Sequence, residues 1–233
     1  MKKIIFVTGD KGGVGKTFTS RLLETYLSKS DIIYKTFETD KTNSSFKRFS
    51  IANTDFVDLD KQGDADIIFE SLVVNENLQI NLVDCAARTM DKIIDWLNEV
   101  DISSLSNEFN ISVEFYYVLG SDKDSLQILN DLIKKIDESD LPINLRLVKN
   151  YGRSDSYTLF DSSKLSNMCE TKNIKTITLK PLLNRPNLTI DRHNLNFLQA
   201  CEDENLSILD RQRVFTYVNQ SIKSFEDIGV LNG

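Results

Sequence analysis

A glycine-rich segment near the amino terminus carries the clearest chemical signature in the chain. Its residues are Lys11, Gly12, Gly13, Val14, Gly15, Lys16 and Thr17. Glycines let successive backbone N–H groups turn toward phosphate oxygens, and the amino terminus of a following helix adds its positive dipole end. Lys16 is expected to reach the β- and γ-phosphates of a nucleotide, and the Thr17 hydroxyl is expected to ligate Mg²⁺. The segment therefore predicts a phosphate-binding loop.

The loop departs from the strict pattern GxxxxGK[ST], because Asp10 stands where the first glycine would fall. It fits the variant KGGxGK[ST], in which Lys11 comes directly after that position. A glycine-rich turn without a ligand is the alternative, and it is disfavoured by the apolar run before the segment and the helical pattern after it. A chain that binds nucleotide without hydrolysing it stays an open alternative.

Two carboxylates follow apolar runs further along the chain. Asp40 ends the segment Phe37-Glu38-Thr39-Asp40, and Asp84 directly follows the run at 80–83. Phosphoryl transfer needs one group that supports the metal and its water shell and another that orients the attacking water. Solvated strand ends or helix caps are the alternative for each carboxylate. The phosphate loop favours the functional interpretation of both.

Short apolar runs alternate with amphipathic stretches along the whole sequence. We predict strands at 4–8, 33–39, 80–83, 113–119, 145–148 and 174–179, with a short one at 56–59. We predict helices at 16–28, 65–74, through Ile93 and Leu97, from Ser121 with Asp124 as a capping partner, at 195–201 and at 209–225. This alternation predicts a single domain over residues 1–233, with the α/β fold of a P-loop NTPase. Its sheet would be mostly parallel and twisted, with helices on both faces. Ligands of such sheets bind beyond the carboxyl ends of the strands, where the loop and both carboxylates fall.

The motif KGGxGK[ST] resembles the deviant Walker A loop of the ParA/MinD family of ATPases, which position plasmids, chromosomes and division sites. The resemblance implies ATP and Mg²⁺ as cofactors, and an ATP-dependent homodimer in which Lys11 reaches the partner's nucleotide. It implies that Asp40 positions the attacking water and that Asp84 lies near Mg²⁺ beside Thr17. It also places Phe18 and Pro181 at the nucleotide and gives Asn150 a contact with the base.

Asn150 follows the apolar run at 145–148, and an amide side chain can both donate to and accept from adenine. A turn asparagine is the alternative at this position. The short and acidic chain is most similar to small plasmid-encoded members of the family that act in partition, stability or mobilisation. The resemblance thus predicts a cargo and a partner or adaptor protein, without naming either.

The sequence departs from the family at both switch segments. Glu38 stands where the family has an aspartate, Lys41 replaces a proline after Asp40, and Ala86 replaces a proline near Asp84. These departures predict slow hydrolysis. A metabolic enzyme on the same fold, of the carboxylase or amidoligase type, and a non-hydrolysing nucleotide-binding module are the alternatives. Lys11 favours the ATPase switch, because such metabolic enzymes usually lack it.

Composition narrows the remaining classes of function. The 233 residues carry a net charge of −7, which disfavours non-specific DNA binding, and acids interleave with the basic residues near the carboxyl terminus. Three separated cysteines and one histidine make a zinc site or a disulfide framework an unfavoured interpretation. The first residues are interpreted as a strand of a cytoplasmic protein rather than a signal peptide. The last helix lacks the basic face of a membrane-targeting helix, so no membrane partner is expected.

Overall fold

Seven strands form one sheet in the computed structural model of the chain, which describes residues 2–9, 11–41 and 45–231. The strands are β1 (Lys2–Thr8), β2 (Tyr34–Glu38), β3 (Thr54–Phe56), β4 (Ile80–Asp84), β5 (Ile111–Val118), β6 (Ile143–Asn150) and β7 (Lys175–Leu179). Their order is β3-β2-β4-β1-β5-β6-β7, and every pairing between them is parallel. Parallel neighbours need crossover connections, which explains why helical segments separate the strands along the chain.

Helices cover both faces of this sheet in the described part of the chain. They are α1 (Lys16–Lys29), α2 (Ser45–Phe49), α3 (Asp66–Val74), α4 (Met90–Glu99), α5 (Ile102–Phe109), α6 (Lys123–Ser139), α7 (Thr158–Asp161), α8 (Lys164–Thr171), α9 (Asn184–His193), α10 (Phe197–Ala200) and α11 (Ile208–Asp227). The predicted α/β fold with a parallel sheet and helices on both faces is therefore confirmed. No helix among the described residues is long and apolar enough to cross a membrane.

The strand β1 shows why the apolar runs are continuous rather than alternating. Ile4 and Phe6 belong to the core on one face of the sheet, whereas Ile5 and Val7 belong to the core on the other. All four side chains are fully buried. A strand covered on both faces needs apolar residues at every position, and this is the pattern of a central parallel strand.

Some predicted elements differ from the observed ones in their boundaries. The strand expected at 56–59 instead ends at Phe56, because β3 pairs with β2 through Thr36 and Thr54, whose hydroxyls lie 2.9 Å apart. The helix expected from Ser121 starts at Lys123. Its cap is Asp122, which accepts a hydrogen bond from the Ser125 N–H at 3.1 Å. The prediction that Asp124 acts as the capping partner was therefore wrong.

The carboxyl-terminal third differs most from the sequence prediction. The helix α9 was not predicted, and Leu183 at its start provides no side-chain cap to signal it. The helix expected at 195–201 is shorter and begins at Phe197, because Asn196 and Gln199 form a reciprocal capping box. The helix α11 packs Val214, Val218 and Phe225 into the core, which confirms that packing explains its apolar stripe.

Candidate functional site

The phosphate-binding segment connects the carboxyl end of β1 to the amino terminus of α1. Gly13 and Gly15 both have positive φ angles, 81° and 104°, a conformation that glycine adopts without strain. Gly15 is the amino-terminal cap residue of α1, so the first turn of this helix opens onto the loop. Gly12 and Gly13 are exposed, and Val14 is half-buried. Asp10 lies outside the described residues, so its predicted place in the loop stays a prediction.

Lys16 lies across the loop that precedes it. Its Nζ donates a hydrogen bond to the backbone oxygen of Lys11 at 2.9 Å, and the residue is 8% exposed. The ammonium group is therefore held over the turn formed by the glycines, with the amino terminus of α1 beside it. This arrangement concentrates positive potential at one point, as an anion site requires.

Asp84, at the carboxyl end of β4, lies beside the start of α1. Its Oδ2 accepts a hydrogen bond from Thr17 Oγ1 at 2.7 Å, and its Oδ1 accepts one from Ser20 Oγ at 2.7 Å. The residue is 5% exposed. Burial raises the pKa of Asp84 to about 6, against the two hydroxyl hydrogen bonds and Lys16, which lower it. Burial therefore outweighs these stabilising groups, and the ionised form of Asp84 is destabilised in the folded protein.

The donor set around Asp84 fits Mg²⁺. Magnesium prefers oxygen ligands at about 2.0–2.1 Å in an octahedron, so neighbouring ligands lie roughly 2.9 Å apart. The 2.7 Å separation of Thr17 Oγ1 and Asp84 Oδ2 is close to that spacing. No cluster of three His, Cys, Asp or Glu side chains that could hold a metal occurs among the described residues. Magnesium at phosphate sites commonly uses one or two carboxylates together with the phosphates and water, so this pair is sufficient.

A second carboxylate, Glu38, lies beside Asp84. The two residues are paired across β2 and β4, and Glu38 is 2% exposed. Its Oε2 accepts from the backbone N–H of Lys47 at 3.2 Å, whereas Oε1 has no hydrogen-bond partner within the described ranges. Its negative charge contributes to the raised pKa of Asp84. In the sequence, Glu38 is recognisable only as a departure from a motif, and its burial beside Asp84 cannot be read from that pattern.

Asp40 is half-buried and lies two residues beyond the end of β2. The preceding residue, Thr39, joins this segment to the loop after β4. Its N–H donates to Asp84 O at 3.0 Å, and its Oγ1 accepts from the Ala86 N–H at 2.9 Å. Asp40, the predicted switch carboxylate, therefore lies on a segment that is hydrogen-bonded to the end of β4 and the loop after it. Its role in orienting water stays a prediction.

Asn150 lies on the opposite side of the phosphate loop, at the end of β6. It is 1% exposed, and its backbone is held by Tyr157, whose hydroxyl accepts from Asn150 N and donates to Asn150 O. Its Oδ1 accepts from the Gly152 N–H at 3.0 Å, while Nδ2 has no hydrogen-bond partner in the described chain. A Cβ added at Gly15 would come within 2.2 Å of that Nδ2. The amide therefore abuts the phosphate loop directly.

A small cavity of about 70 Å³ opens beside this amide. It is lined by Phe18, Asn150, Gly152, Arg153, Leu182, Asn184 and Asn187. Asn187 Oδ1 is buried and, like Asn150 Nδ2, has no hydrogen-bond partner among the described residues. Phe18 and Asn150 both line this cavity, whereas Pro181 lies beside it, next to Gly152, and their contacts with a nucleotide stay predictions. Asn187 belongs to α9, which was not predicted, so no sequence pattern pointed to this side chain.

Lys11 points along the surface of its own subunit. Its Nζ lies 2.6 Å from Asp122 Oδ1 and 3.5 Å from Asp124 Oδ2. The hydrogen bond with Lys11 lowers the pKa of Asp122 to about 2, and that with Asp122 raises the pKa of Lys11. The lysine and the loop after β5 together border a cavity of about 240 Å³ that also reaches Arg153. No sequence pattern indicated this ion pair.

The basic residues near the carboxyl terminus do not form a uniform positive face. Arg185 and Arg213 both pair with Asp210, at 2.7 Å and 2.8 Å. Arg211 donates instead to the backbone oxygen of Glu202 at 3.0 Å. Asp210 offsets the charge of one of these arginines, and the acidic residues interleaved with them in the sequence keep DNA binding the less favoured interpretation.

Comparison with known proteins supports the fold resemblance. No protein-family model matches the chain. The chain is 23% identical over 231 residues to Protein MobD of Acidithiobacillus ferrooxidans, covering 97% of this chain and 98% of that protein. It superposes on the MinC:MinD cell division complex of Aquifex aeolicus with a TM-score of 0.56 and 11% identity, covering 96% of both chains. It superposes equally well, at 0.56 and 14% identity, on a plasmid partition protein of Borrelia burgdorferi B31 bound to AMPPNP, covering 97% of this chain and 99% of that one. The chain therefore has the fold of MinD and ParA-like partition proteins.

Proposed function

We propose that this chain, with its MinD- and ParA-like fold, is a Mg-ATP-binding switch that hydrolyses ATP slowly. One observation carries the proposal: the Lys16 ammonium lies over the glycine loop while Thr17 and Asp84 present paired oxygens beside it. An ammonium, a helix amino terminus and a hard-oxygen pair at one point match a nucleoside triphosphate with its metal. The partition protein bound to AMPPNP, which shares this fold, supports the nucleotide class.

The chemistry follows from the positions of these groups. Lys16 and the loop amides would hold the β- and γ-phosphates, and Thr17 and Asp84 would hold Mg²⁺, which supplies charge neutralisation when bound. Asp40 would hold the attacking water in line with the γ-phosphate. Glu38, with one unpartnered oxygen beside Asp84, would accept a hydrogen bond from a metal-bound or attacking water. The departures from the family motif at these segments make slow turnover the expected behaviour.

The base side of the site favours adenine. Adenine presents a donor at its N6 amino group and an acceptor at N7, whereas guanine presents acceptors at both O6 and N7. The unpartnered Asn187 Oδ1 would accept from the N6 amino group, and Asn150 Nδ2 would donate to a ring nitrogen. A guanine placed in the same way would bring its O6, an acceptor, against Asn187 Oδ1, which is also an acceptor, so no hydrogen bond would form.

The signature lysine is the basis for proposing a switch rather than a simple nucleotide-binding module. Lys16 already lies over the loop of its own subunit, so Lys11 is not needed there. In the proposed ATP state, Lys11 leaves its surface ion pair and contacts the nucleotide of a second subunit. Loss of the γ-phosphate would remove that contact and release the dimer.

The biological role that we propose is positioning or stabilising a cargo, with plasmid partition, stability or mobilisation as the process. The names of the compared proteins support this role, since one is a plasmid partition protein and another is MobD, a name of the plasmid-mobilisation type. The MinC:MinD complex supports a partner protein for this fold. We propose that an adaptor protein likewise connects this chain to its cargo.

The direct test combines phosphate release with sedimentation velocity. Wild-type protein should release phosphate from Mg-ATP slowly and should sediment as a dimer only with a slowly hydrolysed ATP analogue, not with ADP. An ATPase that stays monomeric with the analogue would contradict the switch and favour a metabolic enzyme. Tight ATP binding and dimerisation without phosphate release would favour a non-hydrolysing module.

A further inference from the structure

An apolar groove lies between α3, α4 and α5, away from the nucleotide site. Its lining is formed by the side chains of Phe69, Val73, Val74, Trp96, Val100, Leu105 and Phe109, with Asp66 and Glu70 at its border. The groove encloses about 560 Å³. Val74 is 83% exposed and Phe109 is 39% exposed, so apolar surface remains open to solvent. Apolar surface that stays open between helices and is bordered by polar residues is a candidate interaction site.

The floor of the groove is ordered by specific contacts. The Phe69 and Phe109 rings pack edge to face at 5.8 Å, which joins α3 to α5. Trp96 Nε1 donates to Asp66 Oδ1 at 2.9 Å, which joins α4 to α3. The indole has its hydrogen bond satisfied and presents apolar surface to the groove. The groove is therefore a fixed feature between three helices rather than a gap beside a loose segment.

Acidic residues predominate on the segments that form the groove, and we call them its acidic rim. Residues 66–76 and 95–109 contain seven acidic residues and no lysine or arginine. The acidic residues are Asp66, Glu70, Glu76, Asp95, Glu99, Asp101 and Glu108, and all but Asp66 are exposed. None of them forms an ion pair within the described part of the chain, although carboxylates elsewhere on this surface, such as Asp60, Asp91 and Asp137, pair with lysines. Among the described residues, Lys135 lies near Asp95 and the Lys2 ammonium lies at the end of α3, so the negative charge of these segments is offset only in part.

We propose that this groove docks a basic amphipathic helix of a partner protein. A helix laid between helices buries an apolar stripe, and lysines or arginines on its flanks would meet the acidic rim. A small apolar ligand would fill the groove without contacting the carboxylates of the acidic rim. A second copy of this chain, with a net charge of −7, would be repelled by the same rim.

The location of the groove allows docking without contact with the nucleotide. Val74 and Phe109 end helices that return to the amino-terminal edge of the sheet, where Lys2 Nζ donates to the backbone oxygens of Leu72 and Asn75. The phosphate loop leaves the opposite end of β1, about 20 Å away along this strand. Docking at the groove does not depend on the proposed ATPase activity. Binding of a peptide there can therefore be measured on nucleotide-free protein.

Trp96 provides the readout, because it is the one tryptophan of the chain and lies in the groove. The probe is a synthetic peptide of about 14 residues, with leucines on one helical stripe, lysines elsewhere and no aromatic residue. Two peptides serve as controls: one with glutamates in place of the lysines, and one with the same composition but scrambled leucines. The basic amphipathic peptide should shift Trp96 emission saturably, and the two controls should not.

Variants assign the binding to this groove. Val74→Lys, and separately the charge reversal of Glu70 and Glu108 to lysine, should each weaken peptide binding by about tenfold or more. Ile208→Lys is the matched control, because Ile208 is 75% exposed on another helix, and it should bind the peptide as the wild type does. A circular dichroism spectrum and a melting temperature like those of the wild type would show that the groove variants fold.

Three results would overturn the docking proposal. The first is equal binding of the scrambled peptide, and the second is unchanged affinity of the groove variants. The third is self-association of the peptide-free protein that Val74→Lys abolishes, since this would make a second copy the occupant. Failure of ATP hydrolysis would leave the fluorescence result unaffected, so the two proposals can fail separately.

Discussion

Lys11 Nζ lies 2.6 Å from Asp122 Oδ1 of the same subunit, which places the signature lysine in an ion pair that competes with any contact across a dimer interface. Asp124 adds a second carboxylate at 3.5 Å. A lysine that serves a neighbouring subunit must first leave both carboxylates. The proposed dimerisation is therefore an exchange of one anion, the carboxylate, for another, the triphosphate of the partner.

Asp122→Asn should strengthen dimerisation with a slowly hydrolysed ATP analogue by roughly two- to fivefold, the range expected when an exposed ion pair is removed. Asparagine caps a helix about as well as aspartate, so α6 should be retained. Lys11→Ala should abolish dimerisation in the same analytical ultracentrifugation experiment. A Lys11→Ala protein that dimerises as well as the wild type would defeat the switch model.

Lys16→Ala should abolish nucleotide binding. The substitution removes the ammonium that lies over the loop, and charge-assisted contacts of this kind contribute about 1.5–3 kcal/mol each. Loss of contacts to two phosphates lowers ATP affinity on the order of 100-fold or more, measurable by calorimetry. Lys164→Ala, an exposed lysine on α8, is the matched control and should bind ATP normally. Unchanged affinity in Lys16→Ala would rule out the phosphate-loop assignment.

Asp40→Ala should retain ATP binding and prolong the ATP-bound state. The substitution removes only the group proposed to orient the attacking water, a function that contributes about 10²–10⁴-fold in enzymes. Phosphate release should fall by at least about tenfold while calorimetric ATP affinity stays near that of the wild type. Hydrolysis at the wild-type rate would make Asp40 a bystander and would direct attention to Glu38.

Asp84→Asn should stabilise the nucleotide-free protein while it abolishes Mg-ATP binding. Burial raises the pKa of Asp84 from 3.8 to about 6, so the native state binds its proton more tightly than the unfolded state does. The contribution of Asp84 to the free energy of unfolding therefore falls by about 3 kcal/mol in all as the pH rises from about 4 to 6. It stays low above pH 6.

The measurement is thermal unfolding in the presence of a chelator at two pH values. The variant should melt above the wild type at pH 8, and the difference should shrink as the pH falls from about 6 to 4, because the wild-type native state then holds Asp84 protonated. Ser20→Ala is a useful companion, because it removes one hydroxyl that stabilises the carboxylate and should lower stability at pH 8. A wild type that melts above Asp84→Asn at pH 8 would contradict the expectation.

Asn187→Leu should reduce the preference for ATP over GTP. The variant removes the buried, unpartnered acceptor proposed to face the adenine amino group. ATP affinity should fall by about tenfold, the usual effect of losing one buried hydrogen bond, whereas GTP affinity should not fall. Asn167→Leu on α8 serves as the control, because Asn167 is exposed and is not among the residues that line the cavity. Equal losses for both nucleotides would place Asn187 outside base recognition.

The sequence predicted those parts of the molecule that local pattern determines. The apolar run of β1 and the glycine spacing before Lys16 are short-range features, and the structure places them as expected. Asp84 and Asn150 were predicted as site residues for a related reason, since the carboxyl ends of parallel strands meet at one edge, and the structure places both residues at that edge.

The parts that the sequence did not predict depend on long-range contacts or on weak local signals. The Lys11 and Asp122 pair joins residues 111 positions apart, and no periodicity encodes it. Asn187 lies on α9, which starts without a side-chain cap and contains Pro186 in its first turn. The burial of Glu38 depends on its pairing with Asp84 across two strands, which requires the strand order to be known.

Gly15 lies so close to Asn150 that a single methyl group between them would meet the amide nitrogen at 2.2 Å. The Asn150 side chain at the end of β6 therefore packs directly against the backbone of the phosphate loop. In the proposed complex with ATP, this contact would set the spacing between base and phosphates, so the site would act as a gauge of nucleotide length. A ligand with the right base but the wrong distance to its phosphates would satisfy one end of this gauge and miss the other.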